Sequence, residues 1–218
     1  MRRELLYITT IAVGLFVSAE YAQWPVDIWC IGTFLYLYAT TDRKERIEML
    51  AVLAFATPME LFFSEVWLIY EYQRGLMPLF VPVGHYFLFD LGRRIAKKIP
   101  HSSPIYLILA LLPFVLYGAV KGTDTSAVLL LILTFVFIRW GPEPRLYAAM
   151  VWLALAMELW GTYLGNWTWA SRVPFTGLTA WNPPLLVGAF YCFGDLLVNL
   201  SVAKFEGQPM AEVNHDVL

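Results

Sequence analysis

Two glutamates set in long apolar runs are the residues of this chain best placed to do chemistry. Glu60 lies in Thr57-Pro58-Met59-Glu60-Leu61 and Glu158 in Leu155-Ala156-Met157-Glu158-Leu159. A carboxyl at bilayer depth is costly unless it is paired, neutralised or facing a cavity. Withdrawal from water disfavours the ionised form of a carboxyl, which suits it to hold and deliver a proton. Two readings therefore stand. The glutamates act as proton donors, carriers or substrate ligands, or they are neutral acids that hydrogen-bond a neighbouring helix and fix its packing.

Other candidates follow each glutamate in the same order. A Trp/Tyr-rich stretch comes first, then prolines opening another apolar run, then an aspartate, Asp90 or Asp195. Asp195 and Asn199 are four apart on one helical face, a spacing suited to a local hydrogen bond. Asp90 and Arg94 share that spacing and read as an ion pair near the cytoplasmic surface. The catalytic candidates are Glu60, Glu158 and Asp195. Those for substrate contact are His85, Trp67, Tyr70, Trp160, Trp167, Trp169, Asn182 and Asn199. Aromatic rings could stabilise a developing cation. The stretch from Gly165 to Pro184 is the longest connection. It reads either as an interfacial tryptophan belt or as a lid over a glutamate-lined cavity, with Asn182 donating hydrogen bonds inward. Asn166-Trp167-Thr168 matches a glycosylation acceptor but would lie too close to a membrane to serve as one.

The elements that must position these residues are apolar helices. The chain is 59% hydrophobic and only 15% charged, with a mean hydropathy of +0.61. Soluble domains are usually nearer a quarter charged, so an all-α, polytopic membrane bundle is expected. A bilayer core needs roughly 17 to 25 helical residues. Eight runs qualify between charge and turn clusters: about 4–22, 24–41, 47–71, 78–97, 104–121, 124–140, 145–165 and 182–203. Met1-Arg2-Arg3 before the first run reads as a signal anchor rather than a cleaved leader. With the N-terminus inside, 12 of the 15 Lys and Arg residues fall in inner segments, as the positive-inside rule requires. Both ends are then cytoplasmic, and a prokaryotic inner membrane is the expected location.

The runs also fall into two halves. Leu50 to Leu61 lies over Ala148 to Leu159 at a constant offset, with Met-Glu-Leu in register. Trp67, Tyr70 and Tyr72 match Trp160, Trp167 and Trp169; Asp90-Leu91 matches Asp195-Leu196. Two four-helix repeats are predicted, 1–99 and 100–205, with 206–218 as a cytoplasmic tail. Four spans per half give both copies the same orientation, with a pseudo-twofold along the membrane normal.

Several function classes fall away. The net charge of -2 gives no reason to expect nucleic acid. Cys30 and Cys192 both lie in apolar runs and read as packing residues. Only His85 among the three histidines lies within a run, so no metal site and no cofactor are expected. Pro82-Val83-Gly84-His85 lacks the serine of the lipid-phosphatase Pro-Ser-Gly-His motif, and no second catalytic histidine follows. No Asp-Asp-x-x-Asp motif for a magnesium diphosphate occurs.

The stretch from Glu158-Leu159-Trp160-Gly161 through Gly165-Asn166-Trp167-Thr168-Trp169, with prolines opening the next helix, resembles the membrane carotenoid hydratase and lycopene cyclase-like families. The resemblance covers about 30 residues per half. It implies a small helical bundle with intramembrane carboxylates and no metal. Glu158, and Glu60 in the other half, would protonate a polyene double bond, and water or an internal alkene would quench the cation. The chain departs from those families in span number and in having Pro58-Met59-Glu60 where the cyclases carry Pro-x-Glu-Glu.

Three functions stay open. The leading one is a membrane enzyme of hydratase, cyclase or isomerase type, acting on an isoprenoid-like lipid by metal-free carboxylate chemistry. The others are a proton-coupled transporter and a non-catalytic accessory or scaffold subunit. The expected partners are a membrane lipid or hydrophobic small molecule, with a homodimer or larger membrane complex as the assembly.

Overall fold

The computed structural model describes residues 3–206. Arg2, and the predicted tail beyond Glu206, lie outside the described residues. The chain is mostly helical: α1 (Arg3–Glu20), α2 (Trp24–Thr40), α3 (Arg43–Leu61), α4 (Phe80–Ala96), α5 (Pro104–Leu109), α6 (Leu112–Lys121), α7 (Ser126–Trp140), α8 (Pro144–Tyr163) and α9 (Gly188–Glu206). Two short strands, β1 (Tyr70–Tyr72) and β2 (Trp167–Trp169), form an antiparallel ribbon. Prolines open α2, α5, α6 and α8 within their first turns, where a missing N–H costs nothing. The Asp42 side chain caps α3 by accepting from the Glu45 backbone N–H at 2.9 Å. Gly122 ends α6 in the left-handed region, φ 69°, which a residue without Cβ adopts freely.

Two segments are long and apolar enough to cross a membrane, Arg43–Val66 and Pro104–Lys121, and α7 is a shorter apolar helix. The run predicted as one span over 47–71 divides. Its helix starts earlier, at Arg43, and ends at Leu61; a wider π-type turn carries the chain through Phe62–Val66. Pro58 withholds a backbone donor from the last turns. Leu68 then takes a left-handed conformation, φ 58°, and the chain enters β1. The last predicted run begins as an irregular turn, and its helix starts only at Gly188.

Four helices make the centre. α3 packs on α9 and α4, and α8 packs on α4 and α9. α1 and α2 flank α4, whereas α7 flanks α8 and α9. Charged pairs lie within the bundle: Arg3 with Glu45, Arg93 with Glu48, and Arg94 with Asp90 at 3.0 Å. The Asp90–Arg94 pair expected from spacing is present. Large apolar side chains such as Ile28, Tyr36, Phe114, Leu129 and Ile132 face outward. Cys30 and Cys192 are buried and not disulfide-linked.

One kind of contact occurs twice. Asp27, in the first turn of α2, accepts from the backbone N–H of Phe80 at 2.8 Å. Asp124, just before α7, accepts from the N–H of Leu185 at 3.0 Å. Asp27 thus holds the start of α4, and Asp124 the turn that leads into α9. Asp124 is fully buried and also accepts from Ser126 Oγ (2.7 Å) and Ala127 N–H (3.1 Å). Asp124→Ala would strand these donors, so the purified variant is expected to lose roughly 3 kcal/mol of stability in a thermal or denaturant melt. Gly32→Ala, at a position with open space around an added Cβ, should be neutral or slightly stabilising.

Candidate functional site

The ribbon, the four central helices and parts of α1 and α2 line a cavity of about 160 Å³. Its wall is mostly apolar, with Val52, Phe63, Phe87, Met157 and Phe190 among the lining residues. Three carboxyls line it: Glu60, Glu158 and Asp195. His85 and Tyr70, Tyr72, Trp167 and Trp169 line it as well.

The ribbon exists to meet the glutamates. Alternate residues of a strand point to one face, so Tyr70 and Tyr72 turn inward while Glu71 is exposed, and Trp167 and Trp169 turn inward while Thr168 is exposed. Tyr70 pairs across with Trp169, and Tyr72 with Trp167. Both tyrosine hydroxyls donate to Glu60 Oε2. Both indole N–H groups donate to Glu158 Oε2, at 2.7 Å from Trp167 and 2.9 Å from Trp169. Burial, and after it the adjacent Glu60 carboxyl, pushes both phenols well above their ordinary range, so they remain donors. The backbone extends the ribbon at either end, Ala170 N–H to Ile69 O and Gln73 N–H to Asn166 O.

His85 supplies the other half of the Glu60 environment. Its Nε2 lies 3.1 Å from Glu60 Oε1, and its Nδ1 lies 2.9 Å from the Val81 carbonyl. A carbonyl only accepts, so Nδ1 carries a hydrogen. The Nε2–Oε1 contact is then attractive only with a second proton between them, on the imidazole or on the carboxyl. Glu60 and His85 therefore share one proton and are neutral as a pair. Tyr191 stacks on the imidazole, ring centroids 5.3 Å apart and 10° from parallel. The two side chains keep 14% and 19% of their surface accessible, on the wall of the cavity they line.

Of the residues expected from sequence, the structure brings Glu60, Glu158, Asp195, His85, Tyr70, Trp167 and Trp169 to one cavity. Four lie elsewhere. Trp67 donates to the Pro174 carbonyl and ties the long loop to the turn after α3. Trp160 donates to the Ala12 carbonyl on α1 and is 37% exposed. Asn182 accepts from the Trp169 backbone N–H at 2.9 Å, so it holds the ribbon from behind instead of donating into the cavity. Asn199 gives its oxygen to Arg93 at 2.7 Å and does not bond Asp195. Asn166 is buried and donates to the Leu15 carbonyl.

Sequence reasoning passed over Tyr72 and Tyr191 as site residues. The signal for Tyr72 was the shared aromatic-x-aromatic pattern, Tyr70-Glu71-Tyr72 against Trp167-Thr168-Trp169, at nearly equal distances past the two glutamates. Tyr191 carried none, because an aromatic residue in an apolar helix is ordinarily packing. Among the described residues no group of three or more His, Cys, Asp or Glu side chains could hold a metal ion.

No family model, curated protein or solved structure matches this chain.

Gly161 makes the Trp167–Glu158 bond feasible. A Cβ there would fall 2.2 Å from two carbons of the Trp167 ring. Gly161→Ala is expected to expel the indole, unpair one donor of Glu158 and destabilise the protein by roughly 1–3 kcal/mol. Near-ultraviolet circular dichroism and a melt of the purified variant check both effects.

Proposed function

We propose that this chain is an integral membrane enzyme that adds and removes protons on an apolar, unsaturated, isoprenoid-like substrate, in the manner of an isomerase, cyclase or hydratase. The observation that carries the reading is the proton shared by Glu60 and His85 at the wall of an apolar cavity, with a second buried carboxyl, Glu158, in the same wall. A shared proton is available to a double bond at little reorganisation cost. Glu158, held by two indole donors, is placed to stabilise the resulting cation or to take a proton from the neighbouring carbon. Tyr70, Trp167 and Trp169 offer ring faces to such a cation. This agrees with what the resemblance to carotenoid hydratases and lycopene cyclase-like proteins implies for Glu60 and Glu158.

The membrane setting proposed is a bundle of eight spans in two parallel repeats. Charged pairs inside and apolar side chains outside favour a lipid surround. The exchange of partners among α3, α4, α8 and α9, the paired Asp27 and Asp124 contacts, and the ribbon register all fit a pseudo-twofold passing through Glu71 and Thr168. Reporter fusions in 100–103 and 141–143 should then score as cytoplasmic, and those in 122–124 and 175–177 as external. One reversed loop would break the eight-span arrangement.

The chemistry is tested by solvent exchange. The purified protein, incubated in deuterated buffer with short prenyl alkenes, should place deuterium at allylic or vinylic carbons, read by mass spectrometry. Glu60→Gln, His85→Gln and Glu158→Gln should each lower the rate by roughly 100-fold or more while the protein stays folded, since an amide oxygen can still accept from the ribbon. A second reading, a non-catalytic subunit in which the glutamates only anchor the ribbon, is favoured by their paired donors. It predicts no exchange in the wild type and a lowered melting temperature in the glutamine variants.

A further inference from the structure

Of the three carboxyls that line the cavity, Asp195 alone has a fully buried oxygen without a hydrogen-bond partner. It is 4% exposed, and its Oδ2 is buried with no hydrogen bond. An unpaired polar group in such a place is strongly unfavourable until something fills it. Its counterpart Asp90 shows the contrast: Tyr7 donates to it at 2.9 Å and Arg94 at 3.0 Å. Asp195 lines the cavity with no donor on that oxygen. Gly194 beside it also lines the cavity, and a Cβ there would meet nothing within 4 Å. Asn199 Nδ2, one turn farther along α9, and Tyr147 Oη are likewise buried without partners, though neither residue lines the cavity.

Asp195, the eighth residue of α9, lines the same cavity as Glu60, His85 and Glu158, in a wall that is otherwise mostly apolar. A volume of about 160 Å³ is close to that of a cavity that takes a benzene-sized guest, about 150 Å³, so it admits the end of a chain and not a whole long lipid. A hydroxyl both donates and accepts, and so satisfies a carboxyl in either protonation state. A hydrocarbon end would leave Asp195 as it is now.

We infer that the cavity receives the hydroxyl-bearing end of an isoprenoid-type alcohol, its oxygen on Asp195 and its nearest double bond against Glu60, His85 and Glu158. This rests on the proposed proton chemistry for the substrate class, but the recognition step is separable from it. Asp195 is then a specificity-determining residue, because a buried group built to bond a hydroxyl rejects the analogue that lacks it.

The test measures binding of a short prenyl alcohol and of the matching hydrocarbon without the hydroxyl to the purified full chain, through quenching of tryptophan fluorescence. The alcohol should bind at least about tenfold more tightly. Asp195→Leu should weaken only the alcohol and level the two, while Asp195→Asn, which keeps an acceptor oxygen, should retain most of the preference. Gly194→Leu should exclude both probes. Equal affinity of the wild type for the two probes, binding of neither, or a preference that survives Asp195→Leu overturns the inference, and the wild-type comparison needs no variant to fold. The Glu60→Gln protein separates the two claims. An alcohol preference alongside undiminished deuterium exchange in that variant removes the proposed chemistry and keeps the hydroxyl site; lost exchange with no alcohol preference does the reverse.

Discussion

Everything near the cavity depends on how two carboxyls are satisfied away from water. A helix cannot do it, because its own N–H groups are committed to the carbonyls four residues back. Glu60 and Glu158 both sit near the ends of their helices, where the chain can turn and bring donors back. It does so twice, through a π-type turn after α3 and a short loop after α8. Each return is a three-residue strand, and each strand offers two inward donors. Neither strand would be stable alone. Paired with the other, and bonded to the glutamates beneath, each completes the other's backbone ladder. The carboxyls, the ribbon and the close approach of Trp167 to Gly161 form one cooperative unit.

The two glutamates are held alike and differ in chemistry. Asp27 holds the start of α4 and Asp124 the turn that leads into α9. Tyrosines donate to Glu60 and tryptophans to Glu158. Of the two, only Glu60 has a histidine beside it, so a single shared proton forms and not two. Asp90 is tied to Tyr7 and Arg94, whereas Asp195 is left facing the cavity. Helix packing builds the enclosure, and these differences give its wall an acidic character.

The far end of the bundle is locked by charge. Arg3 meets Glu45, Arg93 meets Glu48 and Asn199, and Arg94 meets Asp90, with Tyr7, Tyr86 and Thr41 filling the remaining acceptor positions. Breaking one partner of such a pair in a low-dielectric setting typically costs about 3–5 kcal/mol. The network joins α1, α3, α4 and α9 and fixes their relative depth. That packing in turn places His85 opposite Glu60.

What could be read in the chain was what local periodicity and solvation dictate. Long apolar runs, the turn residues between them, the matched Met-Glu-Leu triplets and the Asp90–Arg94 spacing are properties of segments, and they determined the helical class and the glutamates as the residues of interest. The ribbon was hidden because three residues between turns carry too little pattern to separate a strand from a helix end. Trp67, Trp160, Asn182 and Asn199 were misplaced because side-chain direction depends on which neighbour packs against each face. Only the tertiary structure decided which donors reach which carboxyl, that Glu60 and His85 share a proton, and that Asp195 is left without a partner. Those facts are distances between residues far apart in sequence, set by helix packing and strand register, and no local pattern contains them.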